Sequence, residues 1–287
     1  MKQLNFFIEL TRLKKPIGFM LLFWPCAWGL TLAYDFTNDL GKYFFYLTLF
    51  FLGSVLMRSA GCVINDIADK EFDKKVNRTK ERPIASGQVS IMLALFYASI
   101  LCLLALLVLL NFNNLTIFVA LGSMPLAFSY PLMKRYTYWP QLFLGITFNY
   151  GLILGWICIK DSLNIIPIIF YFGAIFWTLA YDTIYGFQDI NDDEIIGLKS
   201  TSIKFKKNPY TFLITCYLTF IFCTIITGIL MSFNYFFFIF LIIPLLHLTL
   251  FQIKNLDVGN PNNCLRIFKS NNLFGLILFI NILIGKL

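Results

Sequence analysis

Long apolar runs separated by short polar segments dominate this chain of 287 residues. A run of about 17–25 apolar residues is long enough to cross the hydrocarbon layer of a membrane as a helix. The pattern predicts nine such spans, and the fold class is therefore all-α, a multi-pass transmembrane bundle that forms one integral membrane domain over residues 1–287. The predicted spans are residues 17–34, 43–64, 90–110, 115–132, 140–159, 165–186, 211–231, 234–252 and 272–286.

The composition agrees with a membrane protein. Hydrophobic residues make up 59% of the chain and charged residues only 13%, whereas soluble domains are roughly 45–50% apolar and about 25% charged. The seven cysteines include no CxxC pair and lie mostly in apolar runs, which is typical of small buried side chains rather than of disulfides or a zinc site. No small-residue cleavage site follows the basic N-terminus, so we expect the first span to be retained.

The positive charges predict the orientation of the bundle. The net charge of +8 is concentrated on one side, where nineteen Lys and Arg residues fall in the segments that share a side with the N-terminus. The other side has only Lys42, Lys160 and Lys286, and Arg58 lies within a span. The positive-inside rule therefore places the N-terminus in the cytoplasm. Because the bases lie in short loops between spans, we expect the lipid bilayer and no nucleic acid as a partner.

Most of the acidic residues fall in two groups. Ten of the fifteen lie at the predicted cytoplasmic ends of the second and sixth spans. The first group is Asp66, Asp69, Glu71, Asp73 and Glu81, and the second is Asp182, Asp189, Asp192, Asp193 and Glu194.

The spacing of these acids predicts a binding site for a cation. Residues 66, 69 and 73 would share one helix face, and residues 182, 185, 189 and 193 would share another. Two helices that carry carboxylates at the same side of the membrane predict a cage of oxygen ligands for a hard cation. Mg²⁺ is such a cation, and it prefers a few carboxylates plus phosphate oxygens. The alternative is a pair of solvated loops with salt bridges to Lys70, Lys74, Lys75 and Lys199.

Basic residues follow each acidic group closely. Arg78 and Arg82 come after the first group, Lys199 comes after the second, and Lys134 follows the fourth span. Because Arg and Lys bind phosphate oxygens, a metal with converging bases predicts a diphosphate site. Arg58, about two turns before Asp66 in an apolar helix, is either functional or reaches the interface with its long side chain.

Three stretches resemble the UbiA superfamily of intramembrane aromatic prenyltransferases. The first, Asn65-Asp66-Ile-Ala-Asp69-Lys-Glu-Phe-Asp73, is similar to the family's NDxxDxxxD motif. The segment Tyr130-Pro-Leu-Met-Lys134-Arg135-Tyr-Thr137-Tyr-Trp-Pro140-Gln141 resembles the hydroxybenzoate branch of that family, and Asp182 to Asp193 resembles its second aspartate motif. Arg12-Leu-Lys-Lys-Pro16 resembles the N-terminal segment of the family. The likeness covers the first six spans.

The resemblance implies roles for individual residues. Mg²⁺ and the diphosphate would be bound by Asn65, Asp69, Asp73, Asp182 and Asp189, with Asp66 and Asp193 close by, and the catalytic residues would be Asp69, Asp73, Asp182 and Asp189. The diphosphate would be neutralised by Arg58, Tyr130, Lys134, Tyr185 and Lys199. The carboxylate of the aromatic acid would be bound by Arg78 and Arg82, or by Arg12.

The implied activity is transfer of a polyprenyl group from polyprenyl diphosphate to the ring carbon ortho to the hydroxyl of 4-hydroxybenzoate, in ubiquinone biosynthesis. The same chemistry on a naphthoate, homogentisate, a porphyrin or a sugar phosphate remains an alternative. A secondary transporter is another, although transporters bind near the bilayer midplane and these acids lie at one edge. The bacterial cytoplasmic membrane and the mitochondrial inner membrane are equally compatible with the sequence.

Overall fold

The protein is a bundle of nine apolar helices, as the sequence predicts. The computed structural model describes residues 2–76 and 78–286, and within these residues the secondary structure is entirely helical. The spans, numbered in chain order, are Ile17–Ala33, Leu40–Ala68, Ile91–Leu109, Asn114–Tyr136, Pro140–Lys160, Ile165–Gly186, Pro209–Leu230, Tyr235–Ile253 and Pro261–Lys286. Eight of them are at least 18 residues long, and the first span is shorter.

The ninth span differs most from its prediction. Hydropathy predicts a start at residue 272, but the helix begins at Pro261, about three turns earlier. The Asn260 side chain accepts hydrogen bonds from the backbone N–H groups of Asn262 and Asn263, both at 3.1 Å, and so caps the helix. The 26-residue helix is longer than the hydrocarbon layer is thick. Its polar first turns are therefore helical although they are not hydrophobic.

Two spans are not uniform α-helices. The fourth is divided into Asn114–Gly122, Met124–Ser129, a 3₁₀ turn over Tyr130–Leu132, and Met133–Tyr136. Prolines at 125 and 131 remove backbone donors at these breaks. The eighth span ends in a π-helical segment, His247–Ile253. The fourth span thus ends at Tyr136 rather than at the predicted residue 132, and Lys134 lies in its last turn.

Contacts between helix ends show which ends lie on the same face of the bundle. At the face that carries the acidic groups, a short N-terminal helix, Lys2–Thr11, packs against the second span. At the opposite face the side chains of Asn113, Asn234 and Lys286 donate hydrogen bonds to the carbonyls of Ile157, Ile284 and Leu32, respectively. These contacts agree with successive spans that cross the bundle from one face to the other in alternating directions.

The first span lies at the centre of the bundle, in contact with the second, fifth and ninth spans. Glycines permit its close approach to the fifth span, because a Cβ added at Gly29 would lie 2.0 Å from the carbonyl oxygen of Leu152. Gly155 faces the same contact, and a Cβ there would lie 2.4 Å from the carbonyl oxygen of Cys26. Small residues allow helices to pack backbone to backbone in membranes, where packing drives association.

We predict that Gly29→Ala destabilises the bundle by about 1–3 kcal/mol, because the added methyl group must separate two backbones. Thermal unfolding in detergent measures the effect. Gly122→Ala is the matched control, since a Cβ at Gly122 has no neighbour within 4 Å. Equal melting temperatures for the two variants would contradict the importance of this contact.

Candidate functional site

The first acidic group lies where the second span ends. The helix stops at Ala68, Asp69 adopts φ −95° and ψ 3°, and a short helix continues over Lys70–Asp73. The single continuous helix predicted for residues 66, 69 and 73 is therefore interrupted at Asp69, although Asp66 and Asp73 still contact the same Arg82 atom. All three carboxylates are nevertheless buried, with exposed fractions of 2% for Asp66, 2% for Asp69 and 7% for Asp73.

The second acidic group also spans a break between helices. Asp182 and Tyr185 belong to the sixth span, which ends at Gly186. Asp189 precedes a short helix, Ile190–Ile195, that carries Asp193. The single helical face predicted for residues 182 to 193 is therefore interrupted, and its two halves belong to different helices.

Bases from distant parts of the chain pair with the first acidic group. Asp66 Oδ1 lies 2.6 Å from Arg12 Nη2 and 3.1 Å from Arg82 Nη1, and the same Arg82 atom lies 2.8 Å from Asp73 Oδ2. Lys134 Nζ lies 2.5 Å from Asp69 Oδ2, which also accepts a hydrogen bond from the Asn65 amide at 3.0 Å. Arg12 makes its contact from a left-handed backbone conformation (φ 54°) at the end of the N-terminal helix.

Arg78, from the loop that follows the first acidic group, pairs with the second acidic group. Its guanidinium donates two parallel hydrogen bonds to the Asp189 carboxylate, the Nε to Oδ1 bond measuring 2.8 Å, and it lies 5.9 Å from the centre of the Tyr185 ring. The charges of Lys134 and Arg78 both act on Asp193. Since Lys134 pairs with Asp69, the two acidic groups open onto the same space.

A cavity of about 240 Å³ extends into the bundle next to Arg58 and Tyr130. Its other lining residues are mostly apolar and come from the first five spans. The Arg58 guanidinium lies 5.4 Å from the centre of the Phe148 ring, and its Nε is buried without a hydrogen-bond partner among the described residues. A buried guanidinium donor at a polar end of an apolar cavity fits an anionic group on an apolar ligand.

Burial alters the acid–base behaviour of two carboxyl groups outside the spans. Desolvation raises the pKa of Asp73, although the charge of Arg82 opposes that shift. Desolvation, together with the neighbouring charge of Asp189, raises the pKa of Asp193 to about 6. Burial disfavours the ionised form of a carboxyl group. A positive charge placed beside Asp73 or Asp193 would therefore stabilise its ionised form.

The predicted metal cage is only partly assembled. Within residues 2–76 and 78–286 no three His, Cys, Asp or Glu side chains converge as metal ligands, because several acids are paired with bases. Yet Asp69 Oδ1 is buried with no hydrogen-bond partner in the described part of the chain. Ion pairs between described residues include neither Asp182 nor Asp193. Carboxylate oxygens are the ligands that Mg²⁺ prefers, so the donor set fits a hard divalent cation.

The structure gives Lys199 a different role from its sequence-based assignment, and it gives Arg135 a role that was not predicted. Lys199 donates to the Tyr136 carbonyl at 3.2 Å and lies 5.7 Å from the Tyr138 ring centre, so it supports the end of the fourth span instead of pairing with an acid. Arg135, which has no role in the prediction, donates to the Ala68 carbonyl at 2.5 Å and so caps the second span beside Asp69. Its position next to Lys134 was the only signal in the sequence.

The fold and the site define an integral membrane protein with an acid- and base-lined opening beside an apolar cavity. The chain belongs to the UbiA prenyltransferase family, whose model matches residues 22–282. It is 42% identical over 284 residues to the mitochondrial 4-hydroxybenzoate polyprenyltransferase of Bos taurus, an alignment that covers 98% of this chain and 75% of that protein.

Solved structures show the same fold. A UbiA homologue from Aeropyrum pernix K1 superimposes with a TM-score of 0.77 at 21% identity, covering 93% of this chain and 98% of the homologue. A UbiA homologue from Archaeoglobus fulgidus, bound to DMAPP and Mg²⁺, superimposes with a TM-score of 0.73 at 17% identity, covering 97% of each chain.

We predict that Asp193→Asn stabilises the metal-free protein at pH 7.5. An acid whose pKa is raised from 3.8 to about 6 by folding lowers stability as pH rises through that interval, because the folded state must then carry a desolvated charge. The gain should be about 1–3 kcal/mol at pH 7.5 and should shrink below pH 6. Melting temperatures with a chelator at pH 5 and 7.5 measure it, and a gain that is the same at both values would contradict the prediction.

Proposed function

We propose that this protein transfers a polyprenyl group from polyprenyl diphosphate to the ring carbon ortho to the hydroxyl of 4-hydroxybenzoate, releasing diphosphate, as a step in ubiquinone biosynthesis. The name of the bovine relative, at 42% identity over 98% of this chain, supports the substrates. The observation that carries the proposal is the nearness of the acid- and base-lined opening to an apolar cavity. Arg58 and Tyr130 line the cavity, and Tyr130 interacts electrostatically with Arg12 and Asp182 of the opening. An amphiphilic prenyl diphosphate needs both environments.

The polar end of the site would bind the diphosphate through its bases and through Mg²⁺. We assign the cation to Asn65, Asp66, Asp69, Asp73, Asp182, Asp189 and Asp193. Mg²⁺ bound there would supply positive charge that stabilises the departing diphosphate. Arg58, Tyr130, Lys134 and Tyr185 would neutralise the remaining charge. Lys199, which contacts the Tyr136 carbonyl, is not assigned to the diphosphate. Charge stabilisation at a leaving group that becomes more negative lowers the barrier to C–O cleavage.

The prenyl chain would extend into the apolar cavity. The cavity continues from Arg58 along Met57 and Phe50 to Phe112, between the first five spans. Longer chains would leave it between helices and enter the surrounding lipid. Apolar walls would also exclude water, which otherwise would capture the allylic cation before the aromatic ring does.

The acceptor would approach through the same opening. Arg78, Arg82 and Arg12 are the candidates for binding its carboxylate, and they already pair with carboxylates of the protein. The electron-rich carbon ortho to the phenol hydroxyl would attack the allylic cation, and loss of the ring proton would restore aromaticity. The rings of Phe148 and Tyr130 beside Arg58 could stabilise the cation electrostatically.

The location follows from the same proposal. We assign the protein to a bacterial cytoplasmic membrane or a mitochondrial inner membrane, with the N-terminus and the site on the cytoplasmic side, or on the matrix side in mitochondria. The excess of Lys and Arg on that face supports this orientation. The mitochondrial name of the bovine relative supports the second location.

We predict that Asp69→Asn and Asp189→Asn each lower turnover roughly 10³-fold, because each removes negative charge from the assigned cation site. Purified protein, labelled prenyl diphosphate, 4-hydroxybenzoate and Mg²⁺ provide the assay. Glu71→Gln is the matched control, since Glu71 lies in the same motif, is exposed and forms its ion pair among the described residues with Lys74. Near-normal turnover by either aspartate variant would contradict the cation site.

A panel of acceptors tests the substrate assignment separately. The wild-type protein should prenylate 4-hydroxybenzoate and release diphosphate only when Mg²⁺ is present. Conversion of dihydroxynaphthoate or homogentisate alone would overturn the acceptor while leaving the reaction class intact. Mass spectrometry of lipid extracts, after expression in cells that lack their own ubiquinone prenyltransferase, gives the product and its chain length.

We predict that Ala105→Phe, which places a ring in the cavity, reduces activity with long prenyl diphosphates at least tenfold more than with geranyl diphosphate. Ala105 lines the cavity from the third span, and filling the space should exclude chain atoms beyond it. Leu104→Phe is the control, because Leu104 on the same helix is 45% exposed at the outer surface. Equal losses for all chain lengths would show that the prenyl chain does not occupy this cavity.

A further inference from the structure

Tyr185 lies between the opening and the ninth span. The Arg78 guanidinium lies 5.9 Å from the centre of the Tyr185 ring and binds Asp189. The Phe268 ring centre lies 4.5 Å from that of Tyr185, and 5.8 Å from that of Tyr181 one turn earlier. Tyr185 therefore has an aromatic support that comes from a part of the chain with no recognisable motif.

Buried hydrogen bonds fix the height and rotation of Phe268. Asn271, three residues further along the same helix, accepts hydrogen bonds from Trp177 Nε1 at 2.9 Å and from Gln252 Nε2 at 3.0 Å. Tyr217 donates to Gln252 Oε1. Asn271 and Gln252 are both fully buried. Amide hydrogen bonds in an apolar interior are costly to break, so these contacts hold the ninth span in register with the sixth.

The eighth span adapts its helix to make this connection. Gln252 lies in the π-helical segment His247–Ile253, where the Lys254 N–H bonds to the Thr249 carbonyl five residues back. π-helical turns are rare and often occur at functional positions. The Gln252 amide in this widened turn donates to Asn271 of the ninth span.

We propose that Phe268 is a positioning residue for Tyr185, and that it acts through Tyr185 on the Arg78–Asp189 pair at the site. Without the Phe268 ring, the Tyr185 ring would lose its contact with the ninth span. The Arg78 guanidinium, which contacts Tyr185, would then be held less rigidly. The proposal rests on the proposed function, because it assigns Phe268 to the same diphosphate site. It adds a residue of the ninth span to that site.

A double-mutant cycle on Phe268 and Tyr185 tests the proposal. Phe268→Leu should lower kcat/KM for the prenyl diphosphate about 3- to 10-fold, the range expected for one lost ring contact. Phe268→Tyr, which retains the ring, should restore activity to within about twofold of wild type. In a Tyr185→Leu background, Phe268→Leu should cause no further loss, because residues that act in one chain of contacts are not additive.

The control is Asn281→Leu on the same helix. Asn281 is also buried, and its amide has no hydrogen-bond partner among the described residues, so the variant should retain wild-type kinetics. Melting temperatures identify any variant that is misfolded, and Phe268→Met replaces Phe268→Leu if the latter does not fold. Full additivity of the two losses, or equal loss in Phe268→Tyr and Phe268→Leu, would overturn the proposal.

A binding measurement separates this inference from the proposed reaction. The same cycle is run with inorganic diphosphate and Mg²⁺, and affinity is measured by calorimetry. If the wild-type protein binds diphosphate but does not prenylate 4-hydroxybenzoate, the proposed substrate fails while the cycle still tests Phe268. If diphosphate binding is unaffected by Phe268→Leu and by Tyr185→Leu, the positioning role is wrong whatever the reaction.

Discussion

The structure depends on neutralising carboxylates that are buried at the edge of a membrane. Asp66, Asp69 and Asp73 are almost inaccessible to solvent, and removing one partner of a buried ion pair costs about 3–5 kcal/mol. The basic partners that the structure describes come from outside the second span. Arg12 follows the N-terminal helix, Arg82 lies in the loop after the second span, and Lys134 lies at the end of the fourth span. The ion pairs therefore hold separate segments of the chain together around one opening.

The same charge balance bears on the proposed binding of Mg²⁺ and diphosphate. Asp66, Asp69, Asp73 and Asp189 each pair with a base, so these pairs connect separate segments around the opening. The acids are the residues that would hold a cation, and the bases are the residues that would contact phosphate oxygens. Among the described residues, Asp69 Oδ1 and Arg58 Nε have no hydrogen-bond partner, so a ligand would reach these two atoms without displacing a contact.

The sequence predicts the parts of this structure that depend on composition and misses the parts that depend on backbone geometry. Nine spans, their alternation and the convergence of two acidic groups follow from hydropathy, Lys and Arg asymmetry and spacing. The turn at Asp69 does not, because helical periodicity cannot indicate where a helix ends when no Gly or Pro marks the position. The break before Asp189 is marked only by Gly186, the last residue of the sixth span. The early start of the ninth span at Pro261 is missed for a related reason, since polar helical turns outside the hydrocarbon have no hydropathy signal.

The last three spans show why hydropathy alone does not predict how apolar helices are positioned relative to one another. An apolar helix that contacts other apolar helices gains little from burial, because lipid would cover it equally well. Its register must therefore be fixed by shape and by hydrogen bonds. In this chain the amides of Asn271 and Gln252 connect the ninth, eighth, seventh and sixth spans through Trp177 and Tyr217. Breaking these hydrogen bonds would leave donors and acceptors unpaired in an interior without water. They therefore fix the position of the sixth span, which carries Asp182, along the bundle axis relative to its neighbours.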